Sequence, residues 1–256
     1  MSVVENGREI RVQMEQPEET TALLPSIIAL KDEQFDLLMQ RLSQSKPKEN
    51  TSNPAGLGLA AFALTTFMLS VFNAGSNLID HHLEPVVLPV ALFYGGLAQF
   101  AAGMWEFQLS NTFGATAFTS YGAFWMSFAG YVHIVAPQIA PLGKTHQATG
   151  LFLLSWFIFT LYMNVAAWRI SRILFAVFTT LNFAFFFLIV GSLAKITVLT
   201  NIGGWIGIIT ALLAWYASAA VLINSAYQRP LLPVGHYKKK EGTKSAGRAT
   251  TDIKGH

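Results

Sequence analysis

Charged residues are scarce in the middle of this sequence and concentrated at its ends. Lys, Arg, Asp and Glu make up 12% of the 256 residues, about half of the roughly 25% that is usual in soluble domains. Only seven of the 31 charged side chains lie in residues 53–228, whereas 15 lie in residues 1–52 and nine in residues 229–256. A segment with so few charges cannot cover itself with a water-facing surface. The distribution therefore excludes a soluble globular protein and predicts a membrane domain between two polar tails.

Cysteine is absent from the chain, which excludes disulfides, thiolate metal ligands and a cysteine nucleophile. The sequence also lacks the common metal-binding, serine-hydrolase and phosphate-binding motifs, and its six histidines are scattered. Residues 56–61 match a dinucleotide-binding fingerprint in their spacing, but no strand precedes them. The first 20 residues are acidic and lack an apolar segment, so no secretory signal is predicted. These features predict no enzyme, no metal site and no cofactor.

Long apolar segments occupy the central region. A helix needs about 20 apolar residues to span a bilayer, and six segments have that length. They cover residues 57–76, 86–105, 115–136, 148–168, 173–194 and 202–224. The sequence therefore predicts an all-α integral membrane protein with six transmembrane helices.

The positive charges between these segments predict the orientation of the chain. Lys and Arg are enriched in the cytoplasmic loops of membrane proteins. Nine of them flank the segments on the side of the two chain ends, whereas Lys144 and Lys195 are the two on the opposite side. We therefore expect both termini to be cytoplasmic.

The two tails differ in composition. Residues 1–52 are polar and predicted to be largely disordered, although the leucine spacing between positions 27 and 42 fits one amphipathic helix. Two acidic dileucine-like motifs begin at Glu19 and Glu33, but patterns this short often arise by chance. Residues 229–256 are basic, which favours contact with anionic lipid over nucleic-acid binding.

The turn at the start of the first apolar segment has two interpretations. Asn53 is a favoured cap residue, and Pro54 then falls at the first helical position, where a missing N–H costs nothing. Gly56 and Gly58 leave the first turn without bulk, so its free N–H groups and the positive end of the helix dipole would attract an anion. The alternative is ordinary capping with close helix packing.

Polar residues of the second segment share one helical face. Gly95, Gln99, Gly103 and Glu106 recur at helical spacing. The glycines would admit a neighbouring backbone, and Gln99 lies where polar side chains usually face protein or water. Glu106 lies near the helix end and could simply reach solvent. The last segment carries a stripe of small residues that permits tight packing: Gly203, Gly207, Ala211, Ala214 and Ser218.

The centres of the predicted spans carry no Lys, Arg, Asp or Glu. A high-affinity carboxylate site would ordinarily use Arg. A solute would meet only amides, hydroxyls and backbone dipoles here, which favours weak binding and fast passage. Because complete desolvation of an anion is costly, passage as a neutral acid or together with water is easier.

Several motifs together resemble those of one transporter family. They are Asn-Pro-Ala-Gly-Leu-Gly-Leu at 53–59, Phe-Tyr-Gly-Gly-Leu-Ala-Gln at 93–99, and the runs 102–106, 111–122 and 204–207. In order and spacing they resemble the motifs of the acetate uptake transporters. This family includes bacterial succinate–acetate permeases, fungal acetate transporters and fungal ammonia-export proteins. The long polar N-terminal tail is similar to that of fungal members. Gly56 departs from the family, which usually has a second proline there.

The resemblance implies both an architecture and an activity. It implies a six-helix protomer with its own pore, assembled as a homohexamer in the plasma membrane. The implied activity is proton-coupled uptake of acetate and related short-chain monocarboxylates, with no cofactor and no nucleic-acid partner. The resemblance also places the narrowest part of the pore at Phe62, Tyr121 and Leu181, and a selectivity position at Ala214.

Further candidate residues belong to the same motifs. The candidates for substrate contacts are Asn53, Pro54, Gly56, Gly58, Gln99, Asn111 and Thr112. Glu106 is the candidate for proton coupling. Two other functions fit the sequence: export of ammonia or passage of a neutral small solute, and a non-transporting membrane sensor whose tails carry the function. A membrane enzyme is disfavoured because no catalytic constellation is present.

Overall fold

A computed structural model describes residues 2–5, 8–11, 34–37, 52–75 and 79–235. The contacts divide the chain into two units, residues 1–52 and residues 53–256. The boundary agrees with the one at which the density of charged residues changes. The basic residues after position 235 lie outside the described residues.

The first unit contains a short antiparallel hairpin. Strand β1 (Ser2–Glu5) pairs with strand β2 (Arg8–Arg11), with Val3 opposite Ile10. The polar composition of this tail predicts no strand, so the hairpin is a feature that sequence analysis missed. Residues 34–37 are helical and fall within the predicted amphipathic helix. The rest of that helix and most of the two dileucine-like motifs lie outside the described residues.

The second unit is built from long helices, each of which overlaps one predicted apolar segment. They are α1 (Ala55–Asn73), α2 (His81–Gln108), α3 (Thr112–Gly130), α4 (Thr145–Ala167), α5 (Arg172–Ala194) and α6 (Thr197–Ala226). Among the described residues, five of these helices are long and apolar enough to cross a membrane. The exception is α3, which carries three threonines, two serines and three glycines. The chain is therefore an all-helical, multi-pass membrane protein in its second unit.

The start of α6 lies five residues before the predicted one. The sequence predicts position 202, but the helix begins at Thr197. Lys195 adopts a left-handed backbone conformation with φ of 57° and ends α5, and the extended residue Ile196 precedes α6. The two helices are therefore joined by a tight turn, although the polar residues around position 201 suggested a longer loop.

Helix α2 is irregular along its length. It begins as a 3-10 helix (His81–Val86), continues as an α-helix (Val87–Leu92), contains a π turn (Phe93–Ala98) and ends in a regular α-helix (Gln99–Gln108). Such π turns occur frequently at functional sites. A π turn adds one residue to a helical turn, so it changes the direction in which the following side chains, beginning with Gln99, point.

Small residues bring the helices close together, as the sequence predicted. A Cβ atom added to Gly103 of α2 would collide with the backbone of Thr119 in α3. A Cβ atom added to Gly207 of α6 would collide with Ser70 of α1. Farther along α6, the hydroxyl of Ser218 donates a hydrogen bond of 2.7 Å to the carbonyl oxygen of Gly56 in α1. The predicted packing roles of the α2 and α6 small residues are thus confirmed.

The chain folds back after α6 in a segment that we call the C-terminal strap, residues 231–235. Asn224 of α6 holds its beginning, since the Asn224 Oδ1 atom accepts hydrogen bonds from the N–H groups of Leu231 and Leu232 at 2.8 and 2.9 Å. Its far end reaches α5, where the Ser171 hydroxyl donates to the carbonyl oxygen of Val234 at 2.9 Å. The strap therefore connects the end of α6 to the beginning of α5.

Candidate functional site

Two cavities lie within the second unit. The first has a volume of about 370 Å³ and the second about 240 Å³. The first is lined mainly by apolar and aromatic side chains, with polar groups from Thr66, Ser70, Asn73, Thr145, Thr149, Ser192 and Thr200. The polar side chains that line the second are those of Asn53, Gln99, Asn111 and Ser171.

Three residues line both cavities, and they are the three that the family resemblance places at the narrowest part of the pore. Phe62 of α1, Tyr121 of α3 and Leu181 of α5 are buried and lie where the two cavities meet. The rings of Phe62 and Tyr121 contact edge to face, with centroids 5.4 Å apart. The structure therefore brings the three predicted residues together; their role in restricting passage stays a prediction.

Tyr121 is held by a hydrogen-bond chain that ends on α4. The Thr160 hydroxyl donates to the carbonyl oxygen of Trp156 at 2.7 Å, so its proton is already in use. The Tyr121 hydroxyl, 2.8 Å from the Thr160 oxygen, must therefore be the donor of that pair. This bond fixes the phenol ring and satisfies its polar atom. Tyr121 accordingly presents mainly its ring to the junction between the cavities.

The lining of the cavities is almost free of charge. Among the described residues, Glu84 is the one charged side chain that lines the first cavity, and no charged side chain lines the second. The sequence-based expectation of a path without a countercharge near its centre agrees with this geometry. Such a lining offers a solute hydroxyl groups, amide groups and the edges of aromatic rings. These groups bind an anion more weakly than a charged partner does.

Gln99 is a deeply buried polar residue that lines the second cavity. Only 1% of the residue is exposed, and neither its amide nitrogen nor its amide oxygen has a hydrogen-bond partner among the described residues. A buried amide without partners costs roughly 1–3 kcal/mol. Gln99 therefore has donor and acceptor capacity left for a ligand in the cavity that it lines.

Glu106 lies two helical turns after Gln99 and is also 1% exposed. The interpretation that it simply reaches water at the helix end is therefore wrong. The Asn111 amide nitrogen donates to its Oε2 atom at 2.8 Å, whereas its Oε1 atom has no partner among the described residues. Gly114 makes room for the carboxyl group, because a Cβ atom there would lie 2.9 Å from the carboxyl carbon of Glu106. Glu106 itself lines neither cavity.

The turn before α1 shows the close helix packing of the second interpretation, whereas the attraction of an anion stays a prediction. The Asn53 Oδ1 atom accepts a hydrogen bond from the N–H of Ala55 at 2.9 Å, but Pro54, and not the predicted Asn53, is the N-cap residue. The helix begins at Ala55 rather than at Pro54. Gly58 packs beneath the ring of Phe118, and Gly56 faces Leu222 of α6. Of these motif residues, Asn53 lines the second cavity, while Pro54, Gly56 and Gly58 shape the turn.

Like Glu106, two further predicted residues, Thr112 and Ala214, line neither cavity. Thr112 lines a shallow surface pocket beside Asn111. Ala214 is fully buried in the packed core of the helices and lines neither cavity. Asn111, by contrast, lines the second cavity and donates a hydrogen bond to Glu106. It also caps α3, because its Oδ1 atom accepts from the N–H of Gly114 at 3.2 Å.

The side chains of Glu84 and Ser171 line the cavities but are not among the candidates predicted from the sequence. Neither belongs to a motif that predicts a site. The position of Glu84 depends on the 3-10 start of α2, and the contacts of Ser171 depend on the C-terminal strap. Neither feature has a local signal in the sequence.

Comparisons with known proteins agree with this architecture. A model of the GPR1/FUN34/yaaH family matches residues 36–237. Acetate permease A of Emericella nidulans is 39% identical over 210 residues, which cover 77% of this chain and 70% of that protein. The succinate-acetate/proton symporter SatP of Escherichia coli is 38% identical over 189 residues, which cover 72% of this chain and 95% of that protein.

A solved structure, that of the bacterial acetate channel SatP, shares this fold. It superposes with a TM-score of 0.64 at 34% sequence identity, over 73% of this chain and 100% of that chain. The resemblance to acetate uptake transporters that the sequence motifs indicated is therefore confirmed. On the extent of the family match and the identity to these relatives, the chain belongs to the GPR1/FUN34/yaaH family.

Proposed function

We propose that this protein carries acetate and related short-chain monocarboxylates across a membrane. The observation that carries the proposal is the pair of nearly uncharged cavities that meet at Phe62, Tyr121 and Leu181. The names of the relatives, an acetate permease, a succinate-acetate/proton symporter and an acetate channel, support the substrate class. The activity is transport rather than enzyme catalysis.

The proposed path crosses a domain of six spans. Helix α3 is the sixth span, and its lower apolar content is consistent with residues that face the cavities rather than lipid. The nine-to-two distribution of Lys and Arg supports cytoplasmic chain ends. In this orientation, the first cavity, lined by Glu84 and Thr145, opens toward the outside, and the second, lined by Asn53 and Ser171, opens toward the cytoplasm.

The proposed passage relies on weak contacts. The phenyl ring, the phenol ring and the isobutyl group at the junction form a hydrophobic constriction that acts by size. Beyond it, Gln99, Asn53 and Asn111 supply hydrogen bonds to the carboxyl group in the second cavity, and Thr112 contributes from the neighbouring surface pocket that Asn111 also lines. Pro54, Gly56 and Gly58 shape the inner mouth, and Ala214 acts on selectivity through core packing behind the constriction.

Proton coupling is the finer part of the proposal. A neutral acid avoids the desolvation cost of its anion, so uptake driven by the pH gradient is the mechanism that an uncharged lining favours. Glu106 is the candidate carboxyl group, because it is buried next to Asn111 and one of its oxygens has no hydrogen-bond partner in the part of the chain that the structure describes. Replacing Glu106 with Gln should preserve the fold and reduce the alkalinisation of the medium that accompanies each acetate taken up.

The proposed setting is a homohexamer in the plasma membrane, with lipid, protons and the carboxylate as its partners. Many large apolar side chains on the outside of the second unit are exposed, among them Phe93, Leu151 and Val165. Such a surface needs lipid or neighbouring protomers to cover it. No cofactor and no nucleic acid take part in the proposal.

The decisive experiment measures uptake of labelled acetate at acidic pH in a microbial strain that lacks its own acetate permeases. Expression of this chain should raise the initial rate, and unlabelled propionate should compete. Expression without any rise would refute the proposal. Ammonium efflux without acetate flux would select the ammonia-export alternative, and a phenotype that needs the tails but no transport would select the sensor.

A further inference from the structure

Glu84 is a charged residue of the first cavity to which the proposed function assigns no role. It belongs to the 3-10 start of α2, is exposed, and lines the first cavity together with Tyr131 and Thr145. Every other described residue that lines this cavity is uncharged. A solute that enters the first cavity therefore meets one fixed negative charge, and that charge lies at the exposed end of the cavity.

Nearby charges do not neutralise this carboxylate by direct contact. In the described part of the chain, the single ion pair within 4 Å joins Asp80 and His82, at 2.7 Å. Lys144 and Lys195 flank cavity-lining segments but form no such pair with Glu84. Asp80 differs from Glu84, since it lines neither cavity, and hydrogen bonds from the main chain and ring of His82 lower its pKa.

The charge of Glu84 lowers the concentration of anions at the mouth of the first cavity. A carboxylate at the mouth of an apolar cavity repels anions more effectively than the same group on a flat surface, because low-dielectric walls focus its field. At a separation of about 7 Å in water, one unit charge lowers the local concentration of a monoanion about threefold. The factor for a dianion is the square of that for a monoanion, about ninefold, because its charge is doubled. A neutral acid is not repelled.

We propose that Glu84 is a specificity-determining residue that disfavours dicarboxylates and favours monocarboxylates and neutral acids at the mouth of the first cavity. The inference rests on the proposed function, since it concerns carboxylates on that path. It requires no new binding site and assigns to Glu84 a role in selection by charge, separate from the selection by size at the constriction.

The test compares wild-type protein and Glu84→Gln in proteoliposomes at pH 7.5, where acetate and succinate are ionised. At about 10 mM ionic strength, we expect Glu84→Gln to raise the acetate flux about threefold and to lower the half-inhibitory concentration of succinate about ninefold. At about 1 M ionic strength, where the Debye length is about 3 Å, both differences should disappear.

Two control variants separate charge from structure. Glu84→Asp keeps the charge and should behave as wild type. Asp80→Asn removes a loop carboxylate outside the cavity, while the asparagine oxygen still accepts from the His82 N–H, and should also behave as wild type.

Equal fluxes of wild type and Glu84→Gln at low ionic strength would overturn the inference. So would a difference that persists in high salt, or a succinate effect no larger than the acetate effect. Absence of acetate flux in the wild type would instead refute the proposed function, so the two failures are distinguishable.

Discussion

Leu181 contributes the smallest of the three side chains at the junction of the cavities. Truncating it widens the junction without removing an aromatic ring. Leu181→Ala would join the two cavities by removing a branched side chain, while Phe62 and Tyr121 keep their ring contact. We expect faster uptake and a broader range, measured as the ratio of labelled butyrate to labelled acetate uptake. The unfolding free energy should fall by about 2–5 kcal/mol, as is usual for a buried Leu→Ala change.

The matched control for Leu181→Ala is Ile189→Ala. Ile189 is buried on the same helix, α5, but lines neither cavity. Its truncation should lower the thermal stability by a similar amount and leave the butyrate-to-acetate ratio unchanged. Equal ratios for both variants would show that Leu181 is a packing residue only.

Gln99 offers a second residue-scale prediction, in which stability and transport move in opposite directions. Gln99→Leu replaces a buried amide without partners by an apolar group of similar size, so the midpoint of thermal unfolding should rise or stay unchanged. Acetate uptake should fall several-fold because the second cavity loses its hydrogen-bonding group. The measurements are a thermal melt in detergent and the initial uptake rate.

Asn182→Leu is the control for that experiment. The Asn182 amide is also buried and has no hydrogen-bond partner among residues 52–75 and 79–235, but the residue lines neither cavity. It should show the same gain in stability with an unchanged uptake rate. If both variants lost transport equally, the effect would belong to buried amides in general and not to the cavity.

At the scale of elements, two side chains of α6 hold the C-terminal strap: Tyr216, whose hydroxyl donates to the carbonyl oxygen of Pro233 at 2.9 Å, and Asn224. Besides accepting from Leu231 and Leu232, Asn224 donates from its amide nitrogen to the carbonyl oxygen of Leu232 at 2.9 Å. Asn224→Ala removes these hydrogen bonds, and we expect the unfolding free energy to fall by about 1–3 kcal/mol. A thermal melt checks the loss. Ser225→Ala changes the exposed neighbour and should leave the melt unchanged; equal losses would contradict the assignment.

The elements also show what could be predicted from the sequence. The helices of the second unit follow from apolar segments of bilayer length separated by polar and glycine- or proline-rich connectors, so their existence was predictable and their bounds nearly so. The π turn before Gln99 and the strap were not, because both depend on contacts with distant residues. The three junction residues are apolar or aromatic and look like any core residues; only the family resemblance identified them.

At the scale of the whole molecule, the absence of cysteine makes the proposed orientation directly testable. Lys144 and Arg169 are both exposed in connections between helices, and the charge distribution assigns them to opposite sides of the membrane. In intact cells, a membrane-impermeant maleimide should label Lys144→Cys and should not label Arg169→Cys until the cells are permeabilised. The reverse pattern would invert the orientation, and labelling of both would contradict an odd number of spans between them.

The strap also constrains how the second cavity can change shape. Helix α5 carries Leu181, which lines both cavities, and the hydroxyl of Ser171, the residue just before that helix, donates to the carbonyl oxygen of Val234, which also lines the second cavity. Helix α5 and the residue before it therefore contribute to two parts of the wall of the second cavity. A movement of α5 along its axis would displace Leu181 and the C-terminal strap together, so these two parts of the cavity wall cannot move independently.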